Sequence, residues 1–86
     1  MNNYILDQID LAKQRIEKVM NPIKGKIAVK IENNQHGLYE TKIQVKGIKN
    51  LLFAKKQSKS PMKALMSTED AIKKQIHKYR KSMNNY

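Results

Sequence analysis

Apolar residues step along the first segment by four, three, four and three: Ile5, Ile9, Ala12, Ile16 and Val19. That stepping marks one face of an α-helix and predicts a helix from Asn3 to Met20. Asp7 and Asp10 lie in its first half and Arg15 and Lys18 follow, an order that suits the helix dipole. Asn21-Pro22 and Gly25 stop it. The period then changes. Lys26 to Ile31 alternates apolar and mostly polar positions, the pattern of a half-buried strand. Glu32 to Gly37, with two asparagines, Gln35 and His36, is a polar loop. Tyr39, Thr41, Ile43 and Val45 define a second strand whose other face carries Glu40, Lys42 and Gln44. Lys46 to Asn50, with Gly47, is a hairpin connection. Leu51 to Ala54 is expected as a short third strand, and Lys55 to Lys59 as a basic loop.

Ser60-Pro61 is a helix start, with Ser60 as N-cap and Pro61 at the first helical position. Met62, Leu65, Glu69, Ile72, Ile76, Tyr79 and Met83 follow at helical spacing, and only Glu69 breaks the apolar stripe. Ser67-Thr68-Glu69-Asp70 has the composition of a second N-terminus. Residues 61–82 are either one helix or a short turn followed by a helix from Thr68, and the stepping, which keeps its phase, favours one helix. Asn84-Asn85-Tyr86 is expected to lie beyond it as a frayed end. The order α-β-β-β-α predicts an α+β fold: a three-stranded antiparallel sheet with both helices packed on one face. Ile27, Val29, Ile31, Ile43, Val45 and Phe53 are expected to meet Ile9, Ile16, Leu65, Ile72 and Ile76. Lys26, Lys30, Lys42 and Gln44 would face solvent.

At 86 residues the chain is one domain with a modest core. It has no cysteine, which removes disulfides, thiolate nucleophiles and Cys-based zinc sites and suits a reducing cytoplasm. The longest apolar run, Leu51 to Ala54, is far too short to span a membrane, and the N-terminus lacks the pattern of a secretory signal. His36 and His77 have no carboxylate at ligand spacing, and the three glycines are isolated turn residues. Neither catalysis nor a metal or other cofactor is therefore expected.

Charge changes the picture most. The 18 Lys and Arg against 7 Asp and Glu leave +11. Residues 1–22 are net neutral, residues 23–50 carry +4 and residues 51–86 carry +7. On the last helix Lys63, Lys74, His77, Lys78 and Lys81 fall near one stripe, with Lys73 and Arg80 flanking it. Lys55, Lys56 and Lys59 lie in the segment that feeds this helix. A cationic helix beside a cationic loop can bridge successive phosphates and release their counterions, so RNA is the expected partner. Such a helix could also lie on an anionic membrane, but its apolar stripe is needed to cover the sheet.

Several local strings resemble the ribosome hibernation-promoting factor family, also called ribosome-associated translation inhibitors. Ile16-Glu17-Lys18 is similar to the "L-E-K" that ends the family's first helix. Ser60-Pro61-Met62-Lys63-Ala64-Leu65 resembles its "D-M-Y-x-A-I", and Ile72-Lys73-Lys74-Gln75-Ile76-His77-Lys78-Tyr79 its "L-E-R-Q-L-x-K-x". The resemblance covers residues 5–82. It implies a cytoplasmic stress-response protein that binds ribosomal RNA of the small ribosomal subunit and silences translation by occupancy, without chemistry. It also implies that Lys18, Lys74 and Lys78 face the RNA.

This chain departs from the family's pattern in three places. The family's fold begins with a strand for which no candidate precedes Asn3, which leaves an open sheet edge and an invitation to a homodimer. The first helix is electrically neutral. Glu69 stands at an apolar family position. Two other readings share the element order. One is a double-stranded RNA-binding domain, with His36 and the stretch Lys55 to Ser60 in comparable places but without the "G-P-x-H" loop. The other is a protein-interaction module that dimerises through the open edge.

Overall fold

Three strands are too few to bury a core alone, and the two amphipathic helices supply the second layer. The structure, a computed structural model, describes residues 3–21, 23–34, 36–47 and 51–84. Pro22, Gln35, the connection residues 48–50, the Met83 side chain and Asn85-Tyr86, each assigned a place from sequence, lie outside what is described. Helix α1 spans Asn3–Met20, strand β1 Lys26–Asn33, strand β2 Tyr39–Lys46, strand β3 Leu52–Ser58 and helix α2 Pro61–Asn84. The sheet order is β1-β2-β3, antiparallel throughout. The α+β order α-β-β-β-α is thus the observed one.

The core lies between sheet and helices. Ile16, Met20, Ile43, Val45, Ala54, Ile72 and Ile76 form one buried cluster, and Ile9, Ala12, Ile31 and Leu65 a second, against which Tyr39 packs. Ile9 meets the level of Leu65, and Ile16 and Met20 that of Ile72 and Ile76. The two helices therefore run side by side in the same direction.

Helix α2 is continuous across Ser67-Thr68 and runs to Asn84, two residues past the expected end at 82. The Thr68 hydroxyl does not cap. It donates back to the Ala64 carbonyl at 2.6 Å, one turn earlier in the same helix. At the true start, the Ser60 hydroxyl accepts the Lys63 N–H at 3.3 Å. The β1–β2 turn is tied by Asn34, whose Oδ1 accepts the N–H groups of His36 and Leu38 at 2.9 and 3.0 Å. Gly37 closes it at φ 74, a left-handed conformation in which a Cβ would be strained.

Two expectations fail at β3. The strand does not stop at Ala54, because β2 offers eight residues and pairs β3 as far as Tyr39 with Ser58. Lys55 and Lys56 are therefore strand residues, not loop residues. Phe53 does not join the core either. Its partner is Gln44, so strand alternation places it on the face away from the helices, 41% exposed. Leu52 and Ala54 take the inner face instead.

The hairpin bond from Asn34 N–H to Leu38 O, 2.8 Å, sets which backbone groups pair. Alternation from it turns the N–H and C=O of Phe53, Lys55 and Gln57 to the outer side of β3, and those of Ile27, Val29 and Ile31 to the outer side of β1. On β3 the Gln75 amide caps this edge. Its Oε1 accepts Phe53 N–H at 3.2 Å and its Nε2 donates to Phe53 O at 2.7 Å. Among the described residues, no hydrogen bond joins the outer edge of β1 to another element.

Candidate nucleic-acid interface

The helical period that buries Leu65, Ile72 and Ile76 must present the opposite stripe outward. Lys63, Asp70, Lys74, His77, Lys78 and Lys81 are all exposed there. At 1.5 Å per residue, Lys63 to Lys81 spans about 27 Å. Lys18 is exposed on the outer side of α1. Because the helices run in parallel with Ile16 level with Ile72, Lys18 lies level with Lys74 across the helix layer. Packed helices are typically 8–10 Å apart. The structure thus brings together Lys18, Lys63, Lys74, His77, Lys78 and Lys81 on one side of the molecule.

Three other cations have different places. Lys59 is exposed in the bend that leads into α2. Lys56 is exposed at the helix-side position of β3 opposite Thr41. Lys55 points to the open face of the sheet, opposite Lys42, so it is separated from the helix stripe by the whole sheet. The single basic loop expected from sequence is therefore divided between two faces.

Two cations that flank the stripe are taken up by packing. Arg80 Nη1 donates to the Val19 carbonyl at 2.7 Å, near the C-terminus of α1 where a positive charge is favourable. Lys73 Nζ lies 2.7 Å from Glu69 Oε2. Arg15 meets the same carboxylate with both prongs of its fork, Nε to Oε2 and Nη2 to Oε1, each at 2.8 Å. Glu69, which interrupts the apolar stripe, is thus the ionic pin between α1 and α2. Burial pushes its carboxyl up, but hydrogen bonds from Arg15 and Lys73, with their charges, outweigh burial and hold it below the ordinary range. The hydrogen bond to Glu69 in turn raises Arg15. The pin was legible only as a defect in a period.

His36 sits exposed in the Asn34–Leu38 turn. The pairing of Tyr39 with Ser58 places that turn at the same sheet end as Lys59 and the start of α2. Tyr39 itself packs with Ile9, Ile31 and Leu65 rather than standing free for stacking. Among the described residues no helix is long and apolar enough to cross a membrane. No family model matches the chain, and no curated protein shows significant similarity to it.

Proposed function

We propose that this chain is a non-catalytic RNA-binding protein of the cytoplasm that occupies the small ribosomal subunit through the outer side of its helix layer and so inhibits translation. The observation that carries the reading is the position of Lys18 level with Lys74, beside Lys78 and Lys81. These include the three positions that a resemblance to hibernation factors implies for RNA contact, and they come from two helices far apart in sequence. Helix α1 is net neutral, and its contribution to this surface is Lys18. Arg15 is committed to Glu69, while Lys18 remains outward.

Co-sedimentation with purified small subunits tests the reading. The wild type should travel with the subunit at low salt. Lys18→Gln together with Lys74→Gln, Lys78→Gln and Lys81→Gln should leave it at the top of the gradient. The salt slope should fall by roughly 3 for four lost phosphate contacts. A wild type that never enters the subunit peak sinks the proposal.

A second reading, duplex RNA, is favoured by one observation. His36, Lys59 and Lys63 share one end of the fold, so a turn and a helix start could touch neighbouring grooves. Tight binding to a plain duplex of about 20 base pairs, without subunit binding, would select it.

A further inference from the structure

The face of the sheet turned away from the helices is sorted by charge into rows. Lys26 pairs with Lys46. The next outward row is Ala28, Gln44 and Phe53, and the next Lys30, Lys42 and Lys55. Glu32, Glu40 and Gln57 end the series at the β1–β2 turn. Directly opposed side chains in a sheet have Cβ atoms about 4.5–5.5 Å apart, and like charges there are destabilising. Three opposed pairs on this face are Lys against Lys. Folding gains nothing from that arrangement, since alternating signs would serve the same strands better.

The neutralising acids reach only part of the face. Glu32 pairs with Lys30 at 3.0 Å and Glu40 with Lys42 at 3.5 Å. Glu40 is also held by Gln57 Nε2 at 2.7 Å. Among the described residues no ion pair is made by Lys26, Lys46 or Lys55. Between the two lysine rows lies Phe53, the aromatic ring of this face. The Gln75 amide clamps both backbone groups of Phe53, so the ring stands on a fixed strand.

One exposed phenylalanine alone would mean nothing. Its position between two cationic rows is what matters. At about 3.4 Å per residue, each lysine row is roughly 7 Å from the Phe53 row. A flexible strand can set a phosphate over each row and lay the intervening base on the ring, with the Gln44 amide beside it for the base edge. Duplex RNA offers no free base face. A membrane would call for a wider apolar patch than Phe53 and Ala28. We infer that the open sheet face, through Lys26, Lys30, Lys42, Lys46, Lys55 and Phe53, is a binding platform for single-stranded RNA. The inference rests on the RNA reading above for the choice of polymer, but uses none of the helix lysines.

The test is fluorescence anisotropy of a labelled twelve-nucleotide oligouridine with the full chain at low salt. Wild type binds it. Phe53→Ala weakens binding by roughly 5- to 30-fold, the loss of one stacked base. Phe53→Tyr restores affinity to within about twofold, and Phe53→Leu, which keeps apolar bulk without a stacking plane, does not. Lys30→Gln, Lys42→Gln and Lys55→Gln together lower the salt slope by about 2. The Phe53→Ala effect persists in the background of Lys74→Gln, Lys78→Gln and Lys81→Gln. Oligouridine affinity unchanged by both Phe53→Ala and the sheet triple overturns the inference. So does binding to phosphatidylserine vesicles at matched charge that shows the same dependence on Phe53. Failure here with intact subunit co-sedimentation removes the sheet platform alone. Oligouridine binding that needs Phe53, with no subunit binding, removes the helix-face reading alone.

Discussion

Replacing Glu69 with alanine should loosen α1 from α2, and the cost can be worked from the geometry. The carboxylate side chain is 7% exposed and holds two bonds from Arg15 and one from Lys73. Breaking a fully buried pair by removing one partner costs about 3–5 kcal/mol, largely because the other charge is stranded. Here Arg15 is 44% exposed and can rehydrate, so solvent screening reduces the figure. An effect of about 2 kcal/mol is expected for Glu69→Ala. In urea, with a slope near 1 kcal/mol/M for a domain of this size, the midpoint falls by about 2 M. Arg15→Ala buries a carboxylate that keeps only Lys73 and should cost a similar amount. The double variant should lose less than the two together, with a coupling of about 1 kcal/mol. Glu69→Leu continues the apolar stripe and should recover most of the loss.

The pH dependence gives an independent check. The folded Glu69 carboxyl lies below its ordinary value of 4.5. Its contribution is therefore complete above the unfolded value and is lost as pH falls through the lower folded one. The gap between wild type and Glu69→Ala should be constant near neutrality and close below about pH 4. A gap that persists undiminished to pH 2.5, or a coupling under about 0.3 kcal/mol, would refute the ionic pin.

The buried Thr41 hydroxyl has no partner among the described residues, so Thr41→Val should raise stability by about 1 kcal/mol, seen as a higher thermal midpoint. Ser60→Ala removes the cap on Lys63 N–H and should cost about 1 kcal/mol, with faster amide exchange in the first turn of α2. Assembly through the outer edge of β1 has one full-length register free of like charge, with Val29 against its own copy and Lys26 against Glu32. That reading requires a molar mass near twice 10.0 kDa by light scattering, abolished by Glu32→Lys, and a monomeric wild type removes it.

Where a period was strong, the sequence alone was sufficient. The three–four stepping from Ile5 to Val19 located α1 from Asn3 to Met20, the bounds observed. The same stepping carried α2 past Ser67-Thr68, because a threonine hydroxyl can bond its own helix as readily as start one. Leu51 to Ala54 has no period, so nothing in it says which side faces in. That is decided by register with β2, and Gln44 opposite Phe53 sends the ring outward. Lys55 was hidden for the same reason, since a strand that extends only as far as its partner allows looks like a loop in isolation.

Net charge counted by segment was informative but misassigned. Of the cations in residues 51–86, Lys73 and Arg80 are consumed in joining the helices, and Lys55 belongs to the sheet face. Most of what remains outward falls into two sets of five, with exposed Lys24, Lys56 and Lys59 outside both. Lys18, Lys63, Lys74, Lys78 and Lys81 lie over the helices, and Lys26, Lys30, Lys42, Lys46 and Lys55 over the open sheet. A straight duplex cannot touch both sets at once, because two packed layers stand between them. A rigid duplex would therefore release counterions from one set only, and its salt slope would stay well short of that for all ten lysines. A flexible single strand that passes from one face to the other would exceed that limit, so the slope itself reports which kind of partner is bound.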